Sequence, residues 1–243
     1  MLKKLWANRV GTLIVLLCAY LLVFGFISTA EEPIPAIEAD ADSGLPTIIL
    51  DAGHGGIDSG CVSINGVEEK DINLSIMLKL RGMPDAAGFE TVVTRDTDKS
   101  IHDVGVTGLG NQKKSDMENR LKIINSYDNA LFVSVHQNQF TDSKYYGAQM
   151  FYPEGSAESE QLAQSLQSSI TSRLQPENTR EIKPVGDEIY LLHYAGCPAV
   201  MAECGFLSNQ EEADKLESDE YQSCMAFSIF AGICDYVFSQ GQI

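Results

Sequence analysis

Ile48-Ile49-Leu50-Asp51-Ala52-Gly53-His54-Gly55-Gly56 opens as an apolar run of strand length and stops at an acid and a glycine-rich turn carrying a histidine. A short apolar run bounded by turn residues fits a strand covered on both faces, as in a parallel sheet. Two further stretches repeat the pattern: L-F-V-S-V-H-Q-N at residues 131–138 and A-V-M-A-E-C-G-F at residues 199–206. Together with the helical stretches between them, they predict a single α/β domain whose mostly parallel central sheet of about six strands is flanked by helices. In open α/β sheets ligands collect outside the carboxyl ends of the strands, so an active site at that edge draws together His54, His136 and Glu203.

V-E-E-K-D at residues 67–71 offers two adjacent carboxylates, Glu68 and Glu69. Glu69 reaches the same edge if a helix begins near Asp71. Two imidazoles and one carboxylate are a donor set that holds a catalytic zinc and leaves a position open to water. Glu203 then remains to move protons. Each part has a bland reading. A glycine-rich turn around one histidine is usually an ordinary strand-to-helix turn, and a histidine closing an apolar strand is usually a satisfied core residue. Glu68 and Glu69 are equivalent on these grounds.

The ordered set L-D-A-G-H-G-G-x-D, E-K-D-x-N-L, T-R-D-T-D, F-V-S-V-H-x-N and P-A-V-M-A-E-C-G-F-L-S-N resembles the zinc-dependent N-acetylmuramoyl-L-alanine amidases of the Amidase_3 type, over residues 47–237. The resemblance implies His54, Glu69 and His136 as ligands of one zinc ion per chain, and Glu203 as the catalytic carboxylate. It also implies peptidoglycan as substrate, cleaved between N-acetylmuramic acid and L-alanine. S-I-H-D-V-G-V-T-G at residues 100–108 and K-P-V-G-D-E-I-Y-L-L at residues 183–192 resemble the spore-cortex subgroup, whose action leads to muramic-δ-lactam. Two rivals are a zinc carboxypeptidase acting on the stem peptide and a wall-binding module with a vestigial site.

The 243 residues carry a formal charge of −17, which argues against nucleic acid as a partner because phosphate binding wants a basic face. Lys3, Lys4 and Arg9 are the only charges among the first nine residues, so the remainder carries −17 − 3 = −20. They precede an uncharged, largely apolar run of 18 residues at 10–27. Residues 1–30 therefore read as a signal peptide or an N-terminal membrane anchor, with the domain outside the cytoplasmic membrane. Residues 31–46, rich in proline and acidic residues, read as a flexible linker. The catalytic domain is expected at 47–240.

Within that domain a helix is expected from Asp71, with Ile72, Ile76, Leu80 and Met83 on one face, ending or kinking near Arg81 because of Gly82 and Pro84. Strands are expected at residues 89–94, 131–135, 147–152, 189–192 and 199–203 besides the first. Arg95 reads as a structural ion-pair partner, residues 99–114 as a polar loop containing a solvated His102, and Ser115 with Glu118 as a capping box opening the next helix. Arg120 in that helix is expected to reach inward and pair. Asn138 falls on the side of His136, where it could hold substrate or a neighbouring loop. Helices are expected at 156–174, 209–218 and 219–238, with a loop at 176–187 beside the cleft and His193 in a surface or supporting role. Of six cysteines, Cys18 lies in the apolar run, which leaves an odd five and no C-x-x-C, against a thiolate zinc site. Cys204 as a nucleophile is a weaker alternative to Glu203.

Overall fold

The computed structural model describes residues 44–239, which lie within one compact unit, Ala41–Ile243. The expected leader at residues 1–30 and most of the expected linker lie outside the described residues. Among the described residues no helix is long and apolar enough to cross a membrane.

Six strands form one sheet in the order β2-β1-β3-β6-β4-β5. They are β1 (Thr47–Ala52), β2 (Thr91–Val93), β3 (Ala130–Asn138), β4 (Gln149–Pro153), β5 (Lys183–Val185) and β6 (Ala199–Phe206). The pairs β1–β2, β1–β3, β3–β6 and β4–β5 are parallel, and only β4–β6 is antiparallel. This is the mostly parallel α/β sheet that the apolar runs imply.

Alternation along the central strands splits the core into two layers. Ile48, Leu50, Val133, Val135, Val200 and Ala202 pack on one face with α1 (Glu69–Ala86), α3 (Ala157–Arg173) and α6 (Asp219–Ser239). Ile49, Phe132 and Ala199 pack on the other with α2 (Leu109–Ile124) and the short α4 (Tyr190–Tyr194). A small α5 (Gln210–Leu216) precedes α6. Ser156 and Asn209 each accept a backbone N–H three residues on, and so cap α3 and α5.

Four elements differ from the sequence reading. Helix α1 begins at Glu69 itself and runs unbroken to Ala86 with Pro84 inside it. The proline lies in the final turn, where its missing N–H removes only one helical bond. Its buried ring and the left-handed Gly88 then close the helix. Helix α2 starts at Leu109, six residues before the supposed capping box. Ser115 instead accepts from the Asp103 amide at 3.0 Å, while the Asp116 carboxylate accepts from the Ile101 amide at 2.6 Å, tying the preceding loop to the helix. Residues 189–192 are not a strand: Leu191 and Leu192 are buried consecutively in α4. The edge slot is filled by Lys183–Val185, inside the segment read as loop, where Pro184 is tolerated as on any edge strand.

Candidate metal centre

The chain leaves β1 at Ala52 and bends at once. His54 adopts φ 62°, a left-handed conformation that residues with a side chain seldom take. The bend is over-determined: the Gly55 amide donates to the Asp58 carbonyl at 2.9 Å, and Arg120 Nη2 donates to the His54 carbonyl at 2.6 Å. Beside it, Gly53 leaves room for His136, whose imidazole a Cβ at that position would strike.

His54, the first residue of α1 and the end of β3 meet here. His54 Nε2 stands 3.3 Å from Glu69 Oε2, and His136 Nδ1 stands 3.0 Å from Glu69 Oε1. The two imidazoles meet edge to face with centroids 4.9 Å apart. One donor atom from each of the three residues lies within 4.8 Å of the others, a His, Glu, His group able to hold a metal ion. The surroundings fit that use. Asp58 Oδ2 lies 3.1 Å from His54 Nδ1, fixing the ring so that Nε2 is the free donor, as carboxylates do behind metal-bound histidines. Glu69 Oε2 accepts from the Cys61 amide at 2.9 Å, and Oε1 accepts from the Gln137 amide at 3.1 Å and from Asn73 Nδ2 at 3.2 Å. Burial alone would raise the Glu69 pKa, but the His136 and His54 contacts outweigh it and hold the carboxyl well below its usual range. Burial likewise opposes charge on His54, yet Asp58 and Glu69 lift it to about 9. Glu68, the rival of Glu69, is outside the group and pairs with Lys70 at 3.1 Å.

A buried polar frame holds the turn from behind. Asp51, fully buried, accepts from Arg120 Nη1 at 2.6 Å and from Thr94 and Ser134 at 2.5 Å each. Burial would raise its pKa; the Arg120 charge and the two hydroxyls overcome this and hold it at about 2. Arg120, 1% exposed, also pairs with Asp116 at 2.7 Å, which is the inward reach the sequence suggested. Arg95 is structural in a different way from the one expected. It has no ion-pair partner among the described residues and donates instead to the carbonyls of Ala52, Gly53, Thr97 and Lys70.

Glu203 faces this cluster from β6, directly opposite His136 in the register. The side chain is half-buried, but its Oε2 is shut off from solvent and has no hydrogen-bond partner. Burial pushes its pKa up to about 7, with His136 pulling down and Glu69 pushing up. Cys204, one residue on, points into the opposite core layer, and burial raises its thiol far above the usual range. That geometry removes it as a nucleophile. Asn138 pairs with Phe206 beyond a register shift after His136. His102 is not solvated freely: Ser100 Oγ lies 2.8 Å from its Nδ1 and Gln112 Nε2 lies 3.2 Å from its Nε2. His193 is exposed and packs edge-on against Tyr194. A cavity of about 270 Å³ opens beside the cluster, lined by Gly53, His54 and His136 with Ile189, Tyr190 and Met201. A larger hollow of about 390 Å³, near Leu174, Gln175 and Tyr221, shares no lining residue with it.

The sequence reading had not singled out Asp58, Asn73 or Gln137. Asp58 and Asn73 had a usable signal, each four residues after the group it supports. Gln137 had none, since its amide matters only through the fold.

The chain matches the family model for Amidase_3, N-acetylmuramoyl-L-alanine amidase, over residues 48–235. It belongs to that family. The amidase is 35% identical over 194 residues to the germination-specific N-acetylmuramoyl-L-alanine amidase of Bacillus subtilis (strain 168), covering 80% of this chain and 81% of that one. Among solved structures it resembles the CwlD amidase from Clostridioides difficile, determined in complex with the GerS lipoprotein, with TM-score 0.77 and 40% identity over 80% of this chain and 99% of the other. An N-acetylmuramoyl-L-alanine amidase from Clostridium difficile 630 gives TM-score 0.71 and 29% identity, covering 82% of this chain and 100% of that one.

Proposed function

We propose that the amidase is a zinc-dependent peptidoglycan hydrolase that works on the spore cortex, releasing the peptide from N-acetylmuramic acid and so preparing the glycan for muramic-δ-lactam formation. The observation that carries the reading is the meeting of His54, Glu69 and His136 at one strand edge with Glu203 directly across the sheet. The cortex assignment draws on the germination-specific relative and the CwlD structure. The N-terminal basic flank and apolar run support a place outside the cytoplasmic membrane, by anchor or by secretion, with residues 47–240 as the catalytic domain and residues 31–46 as a tether.

His54, His136 and the Glu69 carboxylate would hold the ion. Zinc bound there would supply Lewis acidity towards the scissile carbonyl and lower the pKa of water. The chain's own groups do the rest. Asp58 keeps the His54 tautomer, and the Cys61 and Gln137 amides fix the Glu69 carboxylate in place. Glu203 accepts a proton from the attacking water and returns one to the leaving alanine amine. Its Oε2, shut off from solvent and without a hydrogen-bond partner, leaves that carboxylate free to take up and return the proton.

Product analysis on purified peptidoglycan decides the reaction. The amidase should release peptides with a free L-alanine amine, and lose this activity with chelator; a shortened stem peptide would mark a carboxypeptidase instead. Glu203→Gln should keep stoichiometric zinc and lose turnover by about 10²–10⁴-fold, the usual worth of a general acid-base. A variant retaining wild-type turnover would remove Glu203 from the mechanism.

A further inference from the structure

Arg180 lies in the segment that runs from α3 to β5, on the β4 side of the site. Its guanidinium is held from two sides: Nε donates to the Tyr146 carbonyl at 2.6 Å and Nη1 to Gln149 Oε1 at 3.2 Å. Gln149 is itself oriented, its Nε2 donating to the Glu181 carbonyl at 2.8 Å, which turns the amide oxygen towards the arginine. The guanidinium lies over the Phe206 ring, with Cζ 4.4 Å from the centroid. Of five guanidinium N–H groups these bonds use two. Nη2 and one Nη1 hydrogen have no acceptor, and Arg180 forms no ion pair among the described residues.

The position matters as much as the charge. Gln149 is the direct cross-strand partner of Glu203 in the β4–β6 ladder. Opposite residues of such a pair point to one face with Cβ atoms about 5 Å apart. The guanidinium therefore stands one side chain beyond the proposed catalytic carboxylate, at the same strand edge as the metal-binding group. A pre-oriented arginine with an open fork is a receptor for a carboxylate, and stacking on an aromatic ring fixes its plane for a bidentate contact.

We propose that Arg180, set by Gln149 and Tyr146 and stacked on Phe206, binds a carboxylate on the peptide half of the substrate. This rests on the amidase reading above. The peptide half is singled out by charge: N-acetylated sugars are neutral, and the muramoyl carboxyl is consumed in the amide being cut. The carboxylate assigned to Arg180 is the first free one beyond the cleaved bond, the α-carboxylate of the second residue of the peptide.

The test uses the zinc-loaded full-length chain and two ligands, N-acetylmuramoyl-L-alanyl-D-glutamate with its γ-carboxyl amidated in both and its α-carboxylate free in one and amidated in the other. Binding is measured by equilibrium titration, and kcat and KM by release of the alanyl peptide. A hydrogen-bonded charge pair contributes enough for the wild type to favour the free carboxylate by about tenfold or more. Arg180→Ala should reduce that preference to near unity by raising KM for the carboxylate form, with kcat, zinc content and the KM of the amidated form close to wild type. Arg180→Lys should retain part of it. A wild type indifferent to the carboxylate overturns the proposal without any variant. So does an Arg180→Ala variant that loses affinity for both ligands equally, the mark of a residue that only holds its loop. Carboxylate preference that Arg180→Ala abolishes, in a protein that releases no peptide, would uphold the subsite and sink the amidase reading; release of peptide with no preference would do the reverse.

Discussion

Gly53 and His54 show how little freedom the site leaves to single residues. Gly53 is not among the positive-φ glycines, and its lack of a side chain serves space: a Cβ there would enter the His136 ring. Gly53→Ala should displace that imidazole, lower thermal stability by about 1–3 kcal/mol as overpacking does, and strip zinc from the purified protein. Metal analysis at unchanged stoichiometry would contradict it. Asp58 acts by hydrogen bond rather than volume. Asp58→Asn removes the charge behind His54 while keeping the shape, and should weaken zinc binding by about 10–100-fold in a chelator competition. At this scale the sequence was informative about the candidate ligands and silent about the groups that hold them. His54, His136 and Glu203 stand out because each closes or follows an apolar run, whereas Glu69 follows none and is told from Glu68 only by the family resemblance. Asn73 and Gln137 look like any polar residues of a helix and a strand end.

Among the elements, β1 and α2 are joined by the Asp51–Arg120 pair, which fixes the turn carrying His54. The Asp51 pKa is depressed in the folded protein, from 3.8 to about 2. Between these values the unfolded chain binds the proton and the folded one does not, so stability is fully present above pH 4 and declines as pH falls towards 2. The contribution is about 2 kcal/mol. Asp51→Asn should abolish this acid-dependent step in denaturant titrations, and at neutral pH should cost about 3–5 kcal/mol because Arg120 is left buried beside an uncharged partner. Elements were legible where a run was long or periodic, as in β3 and α1. Ile189-Tyr190-Leu191-Leu192 was misread because a short apolar run fits a strand and a buried helical turn equally well. Ser115 and Glu118 have capping-box spacing, but loop contacts to Asp116 reward a helix that starts further upstream.

Across the whole molecule the formal charge of −17 sets long-range behaviour. Against an anionic wall polymer it slows encounter, and salt screens charges over a Debye length of about 10 Å at 0.1 M. Raising ionic strength from about 0.01 M to 0.1 M should therefore lower the apparent KM on intact peptidoglycan. A KM that rises steadily with salt would show that local attraction at the rim dominates instead.

The class of sheet, the family, and three polar side chains at the sheet edge, His54, His136 and Glu203, are legible in the residues alone, because short apolar runs end in them; Glu69 was reached only through the family resemblance. The fold separates Glu69 from Glu68 on physical grounds, sends Cys204 to the opposite core layer, and sets Gln149 opposite Glu203 with Arg180 against Gln149. Those outcomes depend on strand order and register, which bring together residues far apart along the chain and leave no local trace in it.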